Sequence, residues 1–140
     1  MKTKHILVFL ALALMPLAAR AQQQQQMTPE QQEKKMRESI EQMVLRYEES
    51  LNLEVWQTFY VDSIITHNYT AMGEETKKLS ENRVENYDLY QMAVDKWDER
   101  TYEAFHRILD EDQWAKYLKS GAARAKKARD KRAEKREGKK

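Results

Sequence analysis

The chain has 140 residues, with 25 Lys/Arg, 23 Asp/Glu, two Pro, three Gly and no Cys. One domain suits that length. The missing cysteines exclude a disulfide scaffold, a cysteine zinc site and a thiol nucleophile, and the scarce turn residues exclude a sandwich, barrel or Rossmann sheet.

Residues 1–21 read as a secretory signal. Lys2, Lys4 and His5 form a basic start, residues 6–17 an apolar core, and Ala19-Arg20-Ala21 a small-x-small site that places cleavage after Ala21. The apolar run is shorter than the ~20 residues of a membrane span. The mature protein is therefore expected to be exported, to the periplasm in a Gram-negative cell, where ATP-driven chemistry is not expected. Its charge is unevenly divided. Residues 121–140 hold ten Lys/Arg against three Asp/Glu, a net +7, and residues 22–120 carry a net −8.

Residues 22–26 form a Gln-rich spacer. Order is expected from Met27 onward, because Thr28 can cap a helix, Pro29 fits its first turn and Gln31 can close a capping box. Met36, Ile40, Met43, Val44, Tyr47 and Leu51 make one stripe, so the first helix is expected to reach about Ser50. Leu51-Asn52-Leu53 marks a break. Leu53, Trp56, Tyr60, Ile64 and Ala71 follow one face of a second helix, whose flanks carry Val55, Phe59, Val61, Ile65, Tyr69 and Met72.

A second break falls at Leu79-Ser80-Glu81-Asn82, where Asn82 followed by Glu85 is a capping-box pattern opening the third helix. Tyr87, Tyr90, Val94, Trp97, Thr101, Ala104, Phe105 and Ile108 recur there mostly in steps of three and four. Asp110 is the expected cap of a fourth helix, with Glu111 and Asp112 at the positive end of its dipole and Trp114, Tyr117 and Leu118 as its apolar residues. Beyond Gly121 the apolar residues are all Ala. Residues 121–140 are therefore expected as a basic tail, helical or disordered, that adds little to a core. The helical domain proper spans residues 27–120.

One local pattern recurs at the expected helix starts. Met27-Thr28-Pro29-Glu30-Gln31, Leu53-Glu54-Val55-Trp56-Gln57 and Leu109-Asp110-Glu111-Asp112-Gln113 share an apolar residue, a polar one, two variable ones and Gln. Generic helix capping accounts for part of it, less well at Glu54, a poor cap. Repeated L-T-x-x-Q at helix starts in a small exported helical protein resembles the Spy/CpxP family of periplasmic proteins. Here Met27 replaces Leu in the first copy, and Glu54 and Asp110 replace Thr in the others. The resemblance covers roughly residues 27–118. It implies a four-helix, cradle-shaped homodimer that holds unfolded clients without ATP; some relatives instead restrain an envelope-stress sensor kinase, and others bind zinc. The expected fold is all-α: four helices with a long antiparallel hairpin, cradle-like, followed by the basic tail.

Metal and catalytic chemistry find little footing. Beyond the signal the chain has His67 and His106 alone. Glu103-Ala104-Phe105-His106 is the E-x-x-H unit of di-iron bundles, which need a second copy, and Ile64 stands where a Glu would precede His67. Asp62, Ser63 and His67 can share a helix surface, but no glycine-bearing turn stands beside Ser63 to build an oxyanion hole. No Gly-rich phosphate loop occurs. A non-enzyme without cofactor or metal is expected.

Two readings of the aromatic residues stay open: core plus dimer seam, or an exposed apolar patch rimmed by charge that binds other proteins. Trp56, Phe59, Tyr60, Tyr90 and Trp97 are the candidates for client contact, from aromatic placement alone. In the tail, Arg124, Lys126, Lys127, Arg129, Lys131 and Arg132 are candidates for capturing an anionic surface. Nucleic acid is not expected, since no aromatic interrupts the basic run to stack on bases. The expected function, implied by the family resemblance, is that of a homodimeric, ATP-independent periplasmic chaperone or envelope-stress adaptor that binds unfolded or envelope proteins. The alternative is a structural, surface-binding protein anchored by its tail.

Overall fold

The structure is a computed structural model and describes residues 27–138, so the signal-peptide and Gln-rich-spacer readings lie outside the described residues. Those residues form α1 (Pro29–Leu51), α2 (Val55–Glu81), α3 (Tyr87–Ile108), α4 (Glu111–Tyr117) and α5 (Ala123–Glu137), with a kinked segment, Leu118–Ala122, joining the last two. The protein is all-α, as its periodicity implies. Gly121, at φ 118°, breaks what the sequence reads as a fourth helix running into a tail. Among the described residues no helix is long and apolar enough to cross a membrane.

The chain divides into two units, Met1–Gln32 and Glu33–Lys140, with the boundary inside α1. In the first, Thr28 and Gln31 make the expected capping box. The Gln31 N–H donates to Thr28 Oγ1 at 3.2 Å and the Thr28 N–H to Gln31 Oε1 at 3.0 Å. Gln32 Nε2 donates to the Met27 carbonyl at 3.1 Å.

In the second unit α2 and α3 form an antiparallel hairpin. Gln57 donates to the Ile108 carbonyl at 2.9 Å, Asn68 to Thr101 Oγ1 at 2.8 Å, and the Trp97 indole N–H to Glu75 at 2.8 Å. As residue numbers rise along α2 their partners fall along α3, which fixes the register. Val61, Ile65 and Phe105 are wholly buried, joined by Ile40, Val44 and Leu51 of α1 and by Leu109 and Tyr117. Each such side chain contributes about 1.5–3 kcal/mol when fully buried. Tyr47 pins α1 to this core, its ring edge-on to Phe105 at 5.2 Å and to Tyr117 at 5.9 Å.

Both turns between the long helices reverse through a left-handed residue that is not glycine. Asn52 has φ 54°, and the Leu53 N–H bonds the Glu48 carbonyl at 3.1 Å. Arg83 has φ 52°, with Val84 N–H to Leu79 O at 3.0 Å and Arg83 N–H to Ser80 O at 2.9 Å. Each closes its helix with the six-to-one bond of a Schellman turn. The second turn corrects one expectation. Asn82 ends α2 instead of opening α3, and the N-cap is Asn86, whose Oδ1 accepts from the Asp88 N–H at 2.9 Å. The left-handed Arg83 turns the chain away before Asn82 and Glu85 can close a capping box.

The tail needs the larger correction. It does more than trail from the core: α5 runs back antiparallel along α3, with Lys126 and Arg129 on Glu99 and Arg132 and Arg136 on Asp95. Arg129 is buried and its guanidinium lies 5.6 Å from the Tyr102 ring centroid. Apolar periodicity misses this contact because charge makes it.

Candidate functional site

The second and third motif copies meet. Gln57 Nε2 donates to Gln113 Oε1 at 2.7 Å, and Gln113 Nε2 returns a bond to Gln57 Oε1 at 2.9 Å. Each glutamine also closes its own helix start: Gln57 Oε1 accepts from the Glu54 N–H at 2.9 Å, and Gln113 Oε1 from the Asp110 N–H at 3.1 Å. Their remaining bonds reach the Ile108 and Asn52 carbonyls, at 2.9 and 3.3 Å, each two residues before the other copy's cap. The result is a local near-two-fold clasp of buried amides joining the α1–α2 turn to the α3–α4 turn. Asp110 also accepts from the Gln113 N–H at 2.8 Å. Leu53 and Leu109 pack at the same place, in or against the core.

Glu54 has a further role that its poor capping propensity hides. Its carboxylate accepts the Trp56 indole N–H at 2.7 Å and so orients that ring at the surface. Trp56, Phe59 and Tyr60 are 49 %, 67 % and 52 % exposed, and Val55 beside them 89 %. The rings touch edge-on, Trp56 to Tyr60 at 6.1 Å and Phe59 to Tyr60 at 5.9 Å. Val55 and Phe59 also line a groove of about 1000 Å³ between α1 and α2. Its apolar wall continues through Met36, Ile40, Val44 and the exposed Leu45, and Glu33, Arg37, Glu41, Glu48 and Asp62 stand along it. Three of the five aromatic candidates are thus brought together.

The other two sit elsewhere. Trp97 is half-buried in the α2–α3 seam, with its N–H on Glu75, Arg100 4.4 Å from its centroid and His67 6.1 Å away. Tyr90 is half-buried on α3. The hydrogen bond from Lys96 holds Glu75 below the ordinary carboxylate range, with the Trp97 N–H adding to it.

The six tail candidates divide by helix face. Lys126, Arg129 and Arg132 are taken up by Glu99 and Asp95, whereas Arg124, Lys127 and Lys131 are exposed and make no ion pair among the described residues. Lys135, which the sequence reading did not single out, continues that exposed stripe. The carboxylates behind α5 respond in opposite ways. Burial pushes Asp95 up, but bonds from Arg132, Gln91 and Arg136 outweigh it and leave Asp95 below its ordinary value. Asp98 is raised by burial, with Asp95 nearby adding to the effect and Arg129 opposing it. A cavity of about 340 Å³ beside Asp98 is bordered by Tyr47, Tyr69 and Tyr117. Burial raises all three phenols above their ordinary range.

Among the described residues no three His, Cys, Asp or Glu side chains gather to hold a metal ion. His106 lies 4.4 Å from the Trp114 ring, a packing role. Ser63 donates to the Phe59 carbonyl at 2.9 Å and Asp62 accepts from Thr66 at 3.3 Å. The groove residue Leu45 and the α3 anchors Asp95 and Glu99 escaped the sequence reading. Asp95 and Glu99, four apart, face Arg129, Arg132 and Arg136, spaced three and four, and that paired spacing is the signal that marks them. Comparison with protein-family models, curated proteins and solved structures gave no match.

Proposed function

We propose that the protein is an ATP-independent chaperone or envelope-stress adaptor, which holds apolar segments of unfolded or envelope proteins on the face formed by Val55, Trp56, Phe59 and Tyr60 and the groove beside them. The observation that carries this reading is three aromatic rings left about half-exposed at one helix start, Trp56 and Phe59 both edge-on to Tyr60, continuous with an apolar groove. Contiguous exposed apolar surface rimmed by charge marks a protein-binding site. The clasp beneath supports the reading, because a patch held by buried hydrogen bonds is presented without collapsing inward. The Spy/CpxP resemblance agrees with it and adds export and homodimer formation to the proposal; exposed Tyr87, Leu89 and Met92 on α3 offer apolar surface for pairing. The test is light scattering of a denatured protein diluted from denaturant, without ATP. The native chain is expected to suppress aggregation, and Trp56→Ala/Phe59→Ala/Tyr60→Ala, still helical by circular dichroism, to lose that effect.

A second reading rests on the exposed stripe of Arg124, Lys127, Lys131 and Lys135 on α5. It makes the protein an electrostatically anchored surface binder, each basic residue contributing about 1 kcal/mol near an anionic bilayer. Co-sedimentation with anionic vesicles, and its loss on replacing those four residues with Gln, tests it.

A further inference from the structure

We infer that the α1–α2 groove selects cationic apolar segments, in which Lys or Arg flanks the side chains that fill it; this rests on the client-binding reading and specifies its clients. The wall is apolar along Met36, Ile40, Val44, Leu45, Val55 and Phe59, and the charge along it has one dominant sign. Four carboxylates, Glu33, Glu41, Glu48 and Asp62, stand there against Arg37, and Arg37 is engaged by Glu33 at 2.9 Å. Glu41, Glu48 and Asp62 are exposed and make no ion pair among the described residues. Asp62 accepts a hydrogen bond from Thr66, which leaves its charge in place.

The same charges argue against the groove of a second copy as occupant. Symmetric pairing presents one surface to itself, so Glu41, Glu48 and Asp62 would meet their own kind, and like charges across an interface are strongly disfavoured. The α5 of a second copy has the right sign but no apolar side chain larger than Ala to fill an apolar wall. A client segment with both apolar bulk and positive charge satisfies both features of the groove.

Two dye-labelled peptides with identical apolar residues, flanked by Lys in one and by Glu in the other, supply the test. Fluorescence anisotropy reads their affinity for the full chain at low and at raised salt. The Lys peptide is expected to bind at least about tenfold tighter at low salt, and the gap to narrow as salt screens the rim. In Glu41→Gln/Glu48→Gln/Asp62→Asn, which alters exposed side chains, the preference should disappear while the Glu peptide binds no worse. Equal affinities that both fall with the Trp56/Phe59/Tyr60 variant would overturn the charge selection and leave the client-binding reading standing. Failure of both peptides to bind would overturn both. A preference that survives the triple rim variant would also overturn the inference, by placing the selecting charge elsewhere.

Discussion

Gln57 and Gln113, 56 residues apart, exchange two amide hydrogen bonds in the protein interior, and each at the same time closes its own helix. Four amide positions thereby satisfy two N-cap N–H groups, two turn carbonyls and each other. A buried polar pair of this kind is stable only when complete, since an unsatisfied buried group costs about 1–3 kcal/mol.

Gln113→Ala should therefore cost about 2–4 kcal/mol, because it removes both bonds between the two amides and leaves the Asp110 N–H and the Asn52 carbonyl without their glutamine partner. Gln57→Ala should cost a similar amount. The double variant should be less destabilised than the sum by about 1 kcal/mol or more, since each single change already ruins the shared site. Urea unfolding of the four proteins measures this coupling. Additive costs would mean that the two amides act independently.

Arg83 holds a left-handed conformation at the end of α2. A side chain there costs about 1–2 kcal/mol relative to an unstrained backbone, and glycine returns part of the gain through its freer unfolded state. Arg83→Gly should raise stability by about 0.5–1 kcal/mol in thermal or urea unfolding. A lower melting temperature would show that this turn is held differently.

Much of this architecture was legible in the sequence. The Met36–Leu51 stripe, the Asp110 cap and the glutamine three residues after each cap position mark helix faces and starts through local periodicity. Arg83 and Asn86 were missed because a left-handed Schellman turn without glycine carries no compositional mark. The aromatic candidates were half resolved for a related reason. Spacing shows which rings share a face of their own helix, but not which face a neighbouring helix covers, so Trp56 and Trp97 looked alike. The docking of α5 was missed because its contact is ionic and an apolar pattern cannot report it.

The ionic dock gives a mutational contrast. Asp95→Ala removes the acceptor of both Arg132 and Arg136 and should cost about 1–3 kcal/mol. Lys131→Ala, on the opposite face of α5, should stay within about 0.5 kcal/mol. Deleting residues 123–140 should lower the melting temperature, where an apolar-pattern argument expects no change. If deletion leaves melting unchanged, α5 is not held as described.

Asp95 and Asp98 should tilt the pH profile in opposite directions. Asp98 is raised by burial, so the native state binds its proton more readily than the unfolded chain, and stability should rise as pH falls through the raised value toward the ordinary carboxylate range. Asp95 is lowered, so its contribution is present above the ordinary carboxylate value and lost as pH falls below it. Melting temperature followed from neutral to strongly acidic pH should first climb and then fall. Asp98→Asn should remove the climb and keep the fall; a climb that persists in that variant would assign it to another group.

The proposed site for unfolded proteins lies at the start of α2. Site-specific photo-crosslinking tests it most directly, with a photo-reactive phenylalanine analogue placed at Phe59 in one protein and at Tyr90 in another, each mixed with a denatured client. The account predicts a strong client crosslink from position 59 that Val55→Ser/Trp56→Ala weakens, and little from position 90. A crosslink confined to position 90, or equal at both, would contradict it.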